Sequence, residues 1–246
     1  MKILVCMSVV PDTTTKISFT ENNTRLNKDG VQFVINPYDE LTITKALELT
    51  EAQGGTVSLL HVGTAESDAV IRKGLALGAT DAFRIDAEAI DGQFVAEQIA
   101  AFAKDKGFDV IMTGRESIDY NGGQVCGLLG ELLQIPSINV VSTITLQDGI
   151  ATLSRDIDGG KETLTTPIPF VMSAQKDLCE PRIPNMKGIM SARTKPLSVI
   201  PSLAIGDTFV RYESYESPKP KAAVRLIDAD KAEELMHILK NEVKVI

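Results

Sequence analysis

Three features of the 246-residue chain predict an α/β fold built on a parallel sheet. Short apolar runs rich in β-branched residues alternate with longer stretches of helical period through the first two thirds of the sequence. The apolar runs are continuous rather than alternating, as in strands covered on both faces. Glycines stand just beyond the helical stretches, where left-handed cap residues belong. Strand and helix alternation at this spacing implies right-handed crossovers, with helices on both sides of the sheet.

The elements follow in order. Ile3 to Met7 reads as a first strand, ended by Pro11 and Asp12 before any signal-peptide cleavage site. Asp39 to Gln53 reads as a helix, because Leu41, Ile43, Ala46, Leu47 and Leu49 share a face. Asn36 or Asp39 is expected to cap it, and Gly54-Gly55 to close it. Thr56 to Val62 is the next strand, followed by a helix over Ala65 to Leu77 that stops at Gly78. Ala82 to Ile85 is a short strand. Gly92 to Lys106 is a helix with Val95, Ile99 and Phe102 on one face and Gly107 beyond its end. Val110 to Thr113 is another strand, then the loop Gly114 to Gly127 leads into a helical GLLGELL pattern. Past Ile135-Pro136 the rhythm changes. Two β-prone runs, ATLSRDID and ETLTTPIPFVMSA, flank Gly159-Gly160 and read as a hairpin or meander. Glu180 to Pro196 is a long loop with a short helix over Met186 to Ala192. Pro201 to Ala223 is polar, and Asp228 to Lys240 is an amphipathic helix with Ala232, Leu235, Met236 and Leu239 on one side.

Composition narrows the function. The 33 acidic and 25 basic residues leave a net charge of -8, which repels a phosphate backbone and argues against nucleic-acid binding. Three cysteines and two histidines, far apart and without metal-ligand spacing, argue against a disulfide framework or a zinc site. No run approaches the roughly 18 apolar residues of a membrane span, so no membrane insertion and a cytoplasmic location are expected. There is no Ser-His-Asp order and no carboxylate pair in a suitable context, so no catalytic side chains are expected.

In a parallel sheet the ligand crevice lies beyond the carboxyl ends of the strands, where strand order reverses. The loop GRESIDYNGGQVCG is the most informative one there. Gly114, Gly122, Gly123 and Gly127 admit close backbone approach, and the amino end of the next helix offers free N–H groups to an anion. Arg115 can add charge, Asp119 can accept from a ribose hydroxyl or cap the loop, and Gln124 can present an amide. The loop matches neither G-x-G-x-x-G nor a P-loop, so a purely structural glycine turn stays open. Tyr38 is a candidate for stacking on a planar ring, with core packing as the alternative. Cys6 reads as an inert core thiol, Cys126 as packed under the loop, and His61 as a satisfied core histidine. The segment EPRIPNMKGIMSARTK mixes Ile183, Met186, Ile189 and Met190 with Arg182, Lys187, Arg193 and Lys195. That composition suits either a partner-binding surface or a loop folded onto its own core.

Taken in order, the stretches Val9 to Asp12, Asp29 to Val31, Asn36 to Glu40, Ile71 to Ala79, Gly114 to Gln124, Arg155 to Leu164 and Glu180 to Ala192 resemble the beta subunit of electron transfer flavoprotein, of the bacterial, non-bifurcating type. They run nearly the whole chain, and the last three are the specific ones. The resemblance implies a Rossmann-like, adenine nucleotide alpha hydrolase-like domain over residues 1–200, and an arm over 201–246 that packs on an alpha subunit. That partner carries the redox-active FAD, whereas the beta subunit holds a structural AMP. By similarity the AMP contacts fall at Cys6, Asn36, Pro37, Tyr38, Asp39, Val62, Gly114, Arg115, Ser117, Ile118, Asp119, Asn121, Gly122, Gly123, Gln124 and Val125. Thr13 and Tyr38 approach the flavin. A recognition loop over 184–195, with Pro184, Met186, Ile189 and Met190, docks donors such as acyl-CoA dehydrogenases of fatty acid β-oxidation, and electrons pass on to a quinone oxidoreductase. The implied role is that of an electron carrier, not an enzyme. Three positions depart from the family pattern: Ser8 replaces a lysine, Cys126 replaces the glycine of Q-x-G, and Met186 replaces a leucine anchor at conserved volume. Two alternatives are an FAD-binding beta subunit of an electron-bifurcating flavoprotein and a stand-alone nucleotide-binding stress-type protein, which has no need of an arm from Ile205 onward.

Overall fold

A computed structural model describes residues 1–203, 209–221 and 223–246, so Ile205 lies outside the described residues. The chain opens with β1 (Lys2–Cys6) and two small antiparallel ribbons, in which β2 (Val9–Pro11) pairs β5 (Phe33–Ile35) and β3 (Phe19–Thr20) pairs β4 (Arg25–Leu26). The alternating part follows: α1 (Pro37–Gln53), β6 (Thr56–Gly63), α2 (Asp68–Leu77), β7 (Asp81–Asp86), α3 (Gly92–Ala103), β8 (Val110–Gly114) and α4 (Val125–Leu133). Then come β9 (Ser137–Gln147), β10 (Ile150–Ile157), β11 (Gly160–Pro167), β12 (Phe170–Ala174), α5 (Met186–Ala192), β13 (Leu197–Pro201) and α6 (Ala232–His237).

Among the described residues, nine strands form one sheet in the order β11-β10-β9-β12-β8-β1-β6-β7-β13. The seven from β9 to β13 run parallel, and β10 and β11 extend them as an antiparallel meander. From β1 the chain moves to β6 and β7 on one side, then crosses to β8 on the other. The order therefore reverses between β1 and β8.

β1 shows how one strand serves two cores. Ile3 and Val5 face a layer that includes Ile43 and Leu47 of α1 and Ile71 and Leu75 of α2. Leu4 and Cys6 face a layer with Ile99 and Phe102 of α3 and Leu129 of α4. A strand buried on both faces has no reason to alternate in polarity, which is why its sequence is a solid apolar run.

Some expectations are corrected. The run ETLTTPIPFVMSA is not one hairpin strand: Ile168-Pro169 separates β11 from β12, and β12 enters the parallel core between β9 and β8. All five β12 residues are buried, and all but Ser173 are apolar, so FVMSA is a strand covered on both faces like β1. The third helix ends at Ala103 rather than Lys106; Asp105 and Gly107, both at positive φ, turn the chain into β8. The C-terminal helix is shorter than its pattern, with α6 flanked by a 3-10 turn (Ala229–Lys231) and a π turn (Ile238–Val243). Its stripe is also turned outward, since Leu235 and Met236 are exposed and Ile238 is the residue that is buried. In β9, Val140 adopts φ +64° where pairing passes from parallel β12 to antiparallel β10, a bulge that redirects the strand into the meander. No helix among the described residues is long and apolar enough to cross a membrane.

Candidate functional site

The loops after β1, β6 and β8 enclose a cleft of about 1420 Å³ at the point where strand order reverses. Cys6, Thr113 and Gly114 lie at the strand ends, Asn36 to Glu40 and Val62 line one part, and Arg115 to Tyr120 with Gly122, Gly123 and Val125 line another. Thr13, in the turn after β2, also lines it. Asn121 and Gln124 face instead an adjoining recess of about 380 Å³, shared with Asp91 and Gly92.

The side chains at the start of α1 do not cap it. Asn36 occupies the N-cap position but makes no capping bond. Its Nδ2 donates to the Glu116 carbonyl at 2.8 Å, and its Oδ1 accepts from the Ile118 amide at 3.4 Å. Asp39 reaches across the strand ends: its two carboxylate oxygens accept from the Ser8 amide and the Gly114 amide, each at 2.7 Å. The two residues thus fasten the loops after β1 and β8 to the start of α1. Both are buried, at 1% and 2% exposure. Burial pushes the Asp39 carboxyl up to about 7, against the lowering effect of the amides that donate to it. The fit is close. A Cβ on Gly114 would stand 2.4 Å from Asp39 Oδ1 and 2.7 Å from Tyr38 Cβ, so only glycine serves there.

The Gly114–Gly127 loop leads into α4, whose N-cap residue Gln124 makes no side-chain capping bond. The first-turn amides of a helix have no intrahelical acceptor, and the positive end of the dipole lies there. An anion fits such an end. Within the loop, Ser117 and Asp119 hydrogen-bond to each other, and Arg115 pairs with Glu116 at 2.9 Å. The Arg115 guanidinium also lies 5.4 Å from the centre of the Tyr38 ring. Arg115 is therefore partly neutralised by its neighbour rather than held free for a ligand.

The expected inert groups behave as such. Burial raises the thiols of Cys6 and Cys126, the latter to about 12, so neither is a thiolate at neutral pH. Burial lowers the His61 pKa, and its Nδ1 lies 2.9 Å from the Met7 carbonyl, which fixes a neutral ring with the proton on Nδ1.

Sequence reading missed part of the wall. Asp91 caps α3 by accepting from the Phe94 amide at 2.7 Å, and its other oxygen accepts from the amides of Phe209 and Val210 at 2.9 and 3.1 Å. Beyond that anchor Tyr212 stacks on Tyr215, and Tyr215 on Phe19, with ring centres 5.7 and 5.1 Å apart. These rings reach the cleft from opposite ends of the chain. The Asp91-Gly92 start of a helix was a readable capping signal; the aromatic stack has no local signal at all.

The segment expected to contact a partner is ordered. Asn185 caps α5 by accepting from the Gly188 amide at 2.8 Å. Met186, Ile189 and Met190 are exposed, Pro184 is half-buried, and Ala192 packs into the core beside α2.

Comparison with known proteins agrees with this arrangement. The model of the electron transfer flavoprotein domain matches residues 24–204. The chain is 34% identical to electron transfer flavoprotein subunit beta of Bacillus subtilis over the full length of both proteins. It is 32% identical to that of Syntrophomonas wolfei over all of this chain and 98% of the relative. For the Mycobacterium leprae subunit the identity is 30%, covering 83% of this chain and 80% of the relative. With a full-length relation of this strength, and a sheet whose order reverses beside the matched glycine loop, the chain belongs to the electron transfer flavoprotein family as a beta subunit.

Proposed function

We propose that this subunit holds an AMP in the cleft between β1 and β8, scaffolds the FAD carried by an alpha subunit, and docks donor flavoenzymes through α5. The observation that carries the nucleotide reading is the uncapped amino end of α4, which follows a glycine-lined loop and opens beside a cleft at the switch point. Backbone amides of Gly122, Gly123, Gln124 and Val125 would face the phosphate, and the Asp39 and Asn36 braces keep the loop in place. Cys6, Pro37, Tyr38 and Val62 would bound the nucleoside, with Arg115, Ser117, Ile118, Asp119 and Asn121 completing the loop around it. Thr13 and Tyr38 stand at the side turned toward the partner's flavin. FAD, when bound, supplies the electron-carrying chemistry; this chain positions it and excludes solvent. Met186, Ile189, Met190 and Pro184 form the donor-docking patch, in a cytoplasmic protein that accepts electrons from acyl-CoA dehydrogenases and passes them to a quinone oxidoreductase. The family match along the whole chain speaks against a stand-alone stress-type protein.

The test is to denature the purified heterodimer and identify the released nucleotides by mass. One FAD and one AMP per dimer are expected. Two FAD and no AMP would establish the bifurcating alternative, and a dimer without flavin that accepts no electrons would overturn the reading.

A further inference from the structure

We propose that Arg72 and Lys195 are positioning residues that hold α5 as a preordered docking platform by reciprocal capping of two helix ends; this rests on the reading of α5 as the donor-docking element. Arg72 belongs to α2, and its Nη1 donates to the carbonyls of Ala192 and Lys195 at 2.7 and 3.3 Å. The first belongs to the last residue of α5 and the second to the turn that follows it. Lys195 follows α5, and its Nζ donates to the carbonyls of Leu75 and Ala79 at 3.0 and 2.6 Å. The first lies in the last turn of α2 and the second two residues beyond its end. Each helix end presents C=O groups left out of the regular i→i−4 ladder and the negative end of a dipole, and each receives its cation from the other segment.

The rest of the contact is built to match. A Cβ on Gly188 would fall 2.3 Å from the Ala76 carbonyl oxygen, so α5 lies against α2 as closely as backbone permits. Upstream, Arg182 makes a two-pronged pair with Glu51 of α1 at 2.7 and 2.8 Å, and its amide donates to Thr44 Oγ1 at 3.0 Å. Downstream, the Ala82 amide donates to the Pro196 carbonyl at 3.0 Å, and the chain enters β13. The segment is tied down on both sides while Met186 and Met190 stand 73% and 67% exposed between the ties. A helix of seven residues does not persist in water by itself. Its apolar face is therefore presented only as long as its anchors hold. A partner meeting a preordered face gives up less conformational entropy on binding, so the anchors act on affinity rather than on electron transfer within the complex.

The heterodimer is prepared with Lys195→Met and, separately, Arg72→Gln, and assayed with an acyl-CoA dehydrogenase as electron donor. The KM for the flavoprotein is expected to rise on the order of tenfold, as suits loss of charged hydrogen bonds, with kcat and flavin content unchanged. Trypsin should cut after Lys187 and Arg193 sooner than in the parent, and Arg72→Lys should restore most of the KM. Faster cleavage with an unchanged KM overturns the positioning role, and unchanged cleavage overturns the capping role. A joint fall in kcat and flavin content would show a general structural role and also overturn it. Met186→Glu run alongside separates the two readings: if that variant leaves KM unaltered, the docking assignment itself falls.

Discussion

Asp39 concentrates the chemistry of the cleft in one side chain. Its carboxylate joins the amides of Ser8 and Gly114, and burial raises its pKa to about 7 from an ordinary value near 3.8. A folded-state value above the unfolded one means that the native protein holds the extra proton between those limits. The group's contribution to stability is then fully present below pH 3.8 and is lost as the pH rises through 7. Replacing Asp39 with Asn removes this titration, together with one of two acceptors. The variant should be less stable overall, with a margin to the parent that narrows by on the order of a few kcal/mol from pH 4 to pH 8. Chemical denaturation across that range measures it, and a margin that does not change with pH would refute the assignment. Sequence placed Asp39 at the ligand edge but suggested a helix cap, because local spacing cannot reveal partners 31 and 75 residues away. Gly114 is the converse case: the glycine after a buried strand was read as letting backbone approach a ligand, and what approaches it within the chain is the Asp39 carboxylate.

At the level of elements, α5 carries the clearest prediction. Met186 is exposed at the start of a capped, anchored helix, so Met186→Glu puts a charge on the apolar face without touching the cleft. Donor turnover at low flavoprotein concentration should fall about tenfold or more, as for a central interface side chain, while flavin and nucleotide contents stay at parent levels. Stopped-flow reduction by the donor reads the first and mass analysis the second. The helix over Met186 to Ala192 was legible from its sequence, because Asn185 caps it and prolines bound its neighbourhood. The identity of β12 as a core strand was not. Its five residues are too few for periodicity to speak, and the cue lay in the Pro-Ile-Pro interruption, which looks equally like a bend within a hairpin. β13 was hidden for a related reason: it is an edge strand of mixed burial, running across residue 200 where the arm was expected to begin.

At the scale of the whole molecule, large apolar side chains are left open to solvent at the carboxyl end. Val224, Leu226, Met236, Val243, Val245 and Ile246 are all exposed, and they cluster in sequence at the carboxyl end. Apolar surface of this kind marks an interaction site, and we propose that the alpha subunit with which a beta subunit pairs covers it. Expressed alone, the chain should self-associate or lose thermal stability. Co-expressed with its alpha subunit, it should elute as a one-to-one complex with a higher unfolding midpoint. Light scattering and calorimetry decide this, and an isolated chain that stays monodisperse with the midpoint of the complex would contradict it. The overall fold class was legible because double-sided burial imprints itself on each strand separately. The arm was legible as a polar stretch and an amphipathic helix, but its anchor on Asp91 was not, because partners 118 and 119 residues apart leave no local signal.

The strand order also sets a timetable for the growing chain. β1 is synthesised first yet sits between β6 and β8, and β8 waits still longer for its outer neighbour, because β12 must slot in between β8 and β9. Until residues 170–174 emerge, β8 and β9 each present an open parallel edge to the cell. Pairings this distant in sequence are slow to form, and open edges are the surfaces through which nascent chains associate wrongly. The strand that sequence reading mistook for the end of a hairpin is thus the one whose arrival closes the centre of the sheet, so a chain stalled before it would be a species for chaperones to guard.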